Sequence, residues 1–107
     1  MGIGVSSGVG RGRARIVTDP ADPRGIEPGE ILVAPLTDPA WTPLFLAAVA
    51  VVVDVGAFQS HAAIVARELG IPAVVSVEGA SHHLTDGDEL EVDGDRGTVT
   101  ILSDHHG

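Results

Sequence analysis

The apolar residues of this chain come in short branched runs, each stopped within a few positions, and this limits the fold more than any other feature. Glu30–Ala34 (EILVA), residues 51–53 (VVV) and residues 73–77 (AVVSV) are too short for helices and too uniformly apolar for surface strands. Residues 51–53 read as a strand buried on both faces, Glu30–Ala34 as a short buried strand and residues 73–77 as another short strand. The segments between them carry helix signals. Asp38 followed by Pro39 reads as an N-cap and a first helical turn, predicting a helix that runs to about Ala48. Residues 61–70 (HAAIVARELG) are strong helix formers, with Ser60 placed as N-cap and Gly70 as a left-handed C-cap. At the ends, residues 13–18 (RARIVT) alternate with the period of a strand, and residues 90–92 and 98–102 read as an antiparallel hairpin. The order is β-rich ends around a β-α-β-α-β centre. That is an α/β fold with a mixed sheet and short flanking helices. Residues 1–102 are expected to form a single domain and 103–107 a disordered tail.

Composition narrows the chemistry. The chain has a net charge of -9, and its six cations are all arginine. A generally basic surface for nucleic acid is therefore not expected, and neither Schiff-base lysine chemistry nor a P-loop lysine is available. Without cysteine there is no disulfide, thiolate nucleophile or cysteine metal site. The longest apolar stretch, residues 44–53, falls well short of the ~20 residues that span a bilayer. No signal-peptide pattern opens the chain, and the expected location is the cytoplasm.

Residues 56–61 (GAFQSH) are the segment with most chemical content. A buried strand that ends in a glycine turn and opens a helix gathers free backbone N–H groups at a positive helix end. Such a point favours phosphate. His61 stands there with a ring that is nucleophilic when neutral. Ser60 is placed to orient that ring or to hydrogen-bond a phosphate oxygen, and Gly56, Ala57 and Gln59 would form the loop over the phosphate. On residue types alone, a histidine that simply caps a helix remains open beside phosphoryl chemistry.

The stretch from Ser60 to Val75 (SHAAIVARELGIPAVV) closely resembles the phosphohistidine motif of the PEP-utilising enzyme mobile domain. This family includes PEP synthase, pyruvate phosphate dikinase, enzyme I of the sugar phosphotransferase system and rifampin phosphotransferase. Residues 5–14 look like the family's entry strand, residues 86–99 like its closing hairpin, and residues 32–44 (LVAPLTDPAWTPL) most like the rifampin phosphotransferase and PEP synthase branch. The resemblance implies a swivelling β/β/α phosphohistidine domain. In it His61 would be phosphorylated and would shuttle the group between a donor site (PEP or ATP) and an acceptor site on partner domains. It further implies that Mg2+ and ATP or PEP are held by those nucleotide-binding and PEP- or substrate-binding partners, with no cofactor or metal on this chain. The chain has no room for an ATP-grasp-like domain or a PEP-binding barrel, so it is expected to be a component of a phosphotransferase rather than a complete enzyme. Two positions depart from the family pattern: Ala57 where a second glycine is usual, and Gln59 where Thr, Leu or Met is usual.

Other features have plainer readings. Arg11, Arg13 and Arg15 share one strand face and are expected to be a solvated edge rather than a guide for a phosphorylated partner. Gly8, Gly10 and Gly12 are not followed by a helix and do not read as a nucleotide loop. Arg67 lies well along the second helix, where a structural contact outweighs support of the phosphate. The pairs His82-His83 and His105-His106 are not expected to bind metal, and the Asp-Gly units are turn chemistry. The alternative function is a non-catalytic binding or regulatory module that keeps the fold. A swivelling domain of dehydratase type, which would not need His61, is a third.

Overall fold

The computed structural model describes residues 2–21, 25–56 and 60–103. Seven strands, β1 (Ile3–Ser6), β2 (Val9–Ile16), β3 (Glu30–Ala34), β4 (Ala50–Val53), β5 (Ala73–Val75), β6 (Glu89–Asp93) and β7 (Thr98–Ser103), form one sheet in the order β1-β5-β4-β3-β2-β6-β7. β2, β3, β4 and β5 run parallel to their neighbours in that series, while β1, β6 and β7 pair antiparallel. The sheet is mixed, as expected. The three short apolar runs are its central strands, and every residue of β4 and β5 is buried.

Burial on both faces follows from the period of two along a strand. Leu32, Ala34, Val51, Val53, Ala73 and Val75 face one core, which is closed by Trp41, Phe45 and the alanines Ala62, Ala63 and Ala66. Ile31, Val33, Ala50, Val52 and Val74 face a second core, closed by Ala80 and by Leu90 and Val92 of β6. A strand of the same sheet thus covers the back of its own centre, so the sheet curls into a half-barrel.

That curl requires backbones to cross closely, and the glycine-rich start is explained by it. Gly94, in the β6–β7 turn, lies against β1: a Cβ there would overlap the Ser6 carbonyl oxygen, and one on Gly4 would overlap the Gly94 oxygen. Gly94 N–H bonds to the Gly8 carbonyl (2.8 Å) and Gly2 N–H to that of Gly97 (3.0 Å), which fastens the hairpin turn to the first strand. Gly10 and Gly12 lie within β2 and form no phosphate loop.

Several expectations are corrected. The first helix is shorter than predicted. A 3-10 turn at Pro39–Trp41, with the Asp38 carboxylate accepting from Ala40 N–H (2.9 Å), leads into a one-turn helix α1 (Thr42–Phe45) that stops well before Ala48. The strand expected to reach Val77 ends at Val75, because Ser76 turns into the left-handed region (φ 59°). β7 continues to Ser103, one residue into the predicted tail, and 104–107 lie outside the described residues. β2 is an interior strand rather than an edge. Its arginines are engaged across the sheet: Arg11 with Glu91 at 2.6 Å, Arg15 with Glu30 at 2.8 Å, and Arg13 with the Gly87 carbonyl at 3.5 Å. A short helix, α3 (Ala80–His83), was not expected; the Asp54 carboxylate at the end of β4 holds it by accepting from Ser81 N–H and Oγ–H. The helix of residues 61–69, named α2 (His61–Leu69), is as predicted, with Ser60 extended at its start and Gly70 left-handed (φ 74°) at its end.

Candidate functional site

Because β3 and β4 are parallel neighbours, the loops that follow them leave the sheet at the same edge. The loop after β3 supplies Thr37 and runs into α1. The loop after β4 leads to α2, whose first residue is His61. Crevices at the carboxyl ends of parallel strands are where α/β sheets gather functional groups.

His61 is half-buried, and both of its ring nitrogens are occupied. Nδ1 lies 2.9 Å from the Thr37 hydroxyl, and Nε2 lies 3.3 Å from the Thr42 hydroxyl. The edge-to-face contact with Phe45, at 5.5 Å between centroids and 81° between planes, fixes the ring further. Phe45 itself is fully buried, so the plane it presents is set by the core. Packing and two hydroxyls therefore define the ring's position before any ligand arrives, as a preorganised nucleophile requires. At the start of α2 the first backbone N–H groups have no intrahelical acceptor, and the peptide dipoles place positive potential there.

The predicted site residues fare differently. Ser60 occupies the N-cap position, with its carbonyl accepting from Ile64 N–H (3.0 Å), but its hydroxyl makes no capping bond to the helix. Gly56 is packed so that a side chain would crowd the Val75 side chain and the Ser60 hydroxyl, at 3.0 and 3.3 Å. Ala57 and Gln59 lie outside the described residues. Arg67 Nε donates to the Val5 carbonyl of β1 at 2.7 Å. Trp41 is part of the core. His82 and His83 are exposed on α3, His105 and His106 lie outside the described residues, and among the described residues no three His, Asp or Glu side chains gather as a metal site. No helix among them is long and apolar enough to cross a membrane. The Asp-Gly segments serve turns: the Asp86 carboxylate accepts from Ile16 N–H, and the Asp93 carboxylate from Asp95 and Arg96 N–H.

Thr37, Thr42 and Phe45 were not anticipated as site residues. The signal for the two threonines was slight: hydroxyls in the proline-containing segment after β3, which parallel pairing brings to the edge where the histidine helix begins.

The chain is similar to known proteins over most of its length. The model of the PEP-utilising enzyme mobile domain matches residues 26–97. Chondramide synthase of Chondromyces crocatus is 51% identical over 95% of this chain and 3% of its own length. Rifampicin phosphotransferase of Streptomyces sviceus is 46% identical over 96% of this chain and 12% of its own length. A solution NMR structure of Enzyme I superposes with a TM-score of 0.63 at 30% identity, covering 82% of this chain and 35% of that one. The chain thus spans only a small part of these relatives.

Proposed function

The chain belongs to the PEP-utilising enzyme mobile domain family, and from that premise we propose that it is a phosphoryl carrier charged on His61. The observation that carries the proposal is the anchored ring: Thr37 holds Nδ1 at 2.9 Å, which leaves Nε2 as the nitrogen with the looser contact. In the reactive tautomer Nδ1 keeps its proton and donates it to Thr37, so the lone pair is on Nε2.

The transfer then balances simply. The Nε2 lone pair forms a bond to phosphorus, the bond from phosphorus to the donor's bridging oxygen breaks, and that oxygen leaves with the electron pair. The Nδ1 proton stays in its bond to Thr37. The reverse step, with an acceptor oxygen in place of the donor's, returns the ring to its starting form. Transition states of this type are loose and need positioning and charge stabilisation more than covalent help. The positive end of the α2 dipole, at His61, supplies part of that stabilisation. Donor and acceptor sites, with Mg2+ and ATP or PEP, belong to partner domains of the larger phosphotransferase system.

The test is chemical. The chain is incubated with PEP or ATP in a lysate of its source and examined by mass spectrometry for an acid-labile phosphoryl adduct. A single adduct on His61 is expected. No adduct with any donor would instead favour a binding or regulatory module that keeps the fold.

A further inference from the structure

Thr42 touches the atom that the carrier reading makes reactive. Its hydroxyl oxygen lies 3.3 Å from Nε2, while Nδ1 is committed to Thr37. With the Nδ1 proton donated to Thr37, Nε2 offers only a lone pair, and a hydroxyl facing it must donate. The backbone that presents Thr42 is firmly held: its N–H bonds to the Pro39 carbonyl, Trp41 N–H bonds to the Asp38 carbonyl at 2.9 Å, and Pro43 follows. A hydroxyl proton can turn about its C–O bond to suit its acceptor. A phosphorus bonded to Nε2 occupies the direction of that lone pair, so the hydroxyl must yield it. The nearest acceptors it then meets are the equatorial phosphoryl oxygens.

We infer that Thr42 is a second catalytic hydroxyl, which occupies the Nε2 lone pair in the resting carrier and passes its hydrogen bond to a phosphoryl oxygen once His61 is loaded. The inference rests on the carrier reading. It has a consequence for the lifetime of the adduct. As the N–P bond loosens, the phosphoryl group flattens and moves away from Nε2, so a hydroxyl held beside Nε2 meets its oxygens best while the bond is intact. A donor to those oxygens therefore stabilises the loaded state more than the transition state for loss to water. Thr42 protects the stored phosphoryl group until a partner takes it.

The experiment uses the whole chain with phosphoramidate as phosphoryl donor, so that no partner protein is needed. Nitrogen attack then releases ammonia, which takes the electron pair of the broken P–N bond. Wild type, Thr42→Val and Thr42→Ser are compared by the 15N shifts of the resting His61 ring and by the lifetime of the His61 adduct, followed by 31P NMR at neutral pH after donor removal. Loss of one hydrogen bond of ordinary net strength should shorten the lifetime in Thr42→Val by about 2- to 10-fold. The Nε2 resonance should also move toward that of a free imidazole lone pair, with Thr42→Ser restoring both. Equal lifetimes and an unmoved Nε2 resonance in Thr42→Val would overturn the role of Thr42 while leaving the carrier intact. A wild-type chain that takes no phosphoryl group on His61 would overturn the carrier reading, and this inference with it. Thr42→Val is nearly isosteric, and its thermal unfolding, together with the Ser variant, separates a folding defect from the loss of the hydroxyl.

Discussion

At the scale of the residue, the His61 ring owes its position to neighbours that are distant in sequence. The resemblance of the Ser60–Val75 stretch to a phosphohistidine motif picked out His61, because the motif is local. It could not pick out Thr37 and Thr42, which reach the ring only because β3 and β4 are parallel and adjacent. Ser60 was legible as a position at the helix start, but not the fact that its hydroxyl leaves the helix amides uncapped. Thr37 gives a direct prediction. Thr37→Val removes the acceptor for the Nδ1 proton, releasing the ring to choose either tautomer. Loading of His61 by phosphoramidate should slow by about 2- to 10-fold, the worth of one net hydrogen bond, and the 15N pattern of the ring should show mixed tautomers. Unchanged loading and an unchanged 15N pattern would remove Thr37 from the site.

At the scale of the element, helix α2 joins the site to the sheet. Its buried face is alanine, so it packs close to β4 and β5, and Gly70 ends it with the left-handed turn that only glycine adopts without cost. Both were readable from sequence, as were the central strands, since their signals are local. The length of α1, the end of β5 at Val75 and the existence of α3 were not, because none is announced by its own residues. α3 depends on Asp54, and nothing in the four residues Ala80–His83 announces a helix. Arg67 tests the division of labour along α2. Its bond to the Val5 carbonyl makes it a brace for β1. Arg67→Ala should lower unfolding free energy by about 1–2 kcal/mol in urea titrations, with formation of the His61 adduct retained in the folded protein. Loss of the adduct at full stability would instead make Arg67 a phosphate ligand.

At the scale of the whole molecule, the fold is a curled sheet that closes on itself through glycine contacts, leaving one edge of its parallel centre free to present a single side chain. The closure was the part least visible in the sequence. Alternating glycines resemble a weak strand, and only the crossing of β1 by the β6–β7 turn explains Gly4 and Gly94. Gly94→Ala forces a methyl group into the Ser6 carbonyl and should cost about 1–3 kcal/mol or more, as overpacking does, read as a lower denaturation midpoint. A neutral outcome would mean that the turn does not sit against β1 as described. On the carrier reading proposed above, donor and acceptor chemistry belongs to partner domains. ATP or PEP alone should therefore leave it unphosphorylated, and a donor domain added in trans should charge it. The most direct measurement of the central claim is mass-spectrometric mapping of the acid-labile phosphoryl group in the charged chain and in its His61→Ala variant. The account predicts one group, on His61, absent from the variant; an adduct of equal yield that survives in His61→Ala would contradict it.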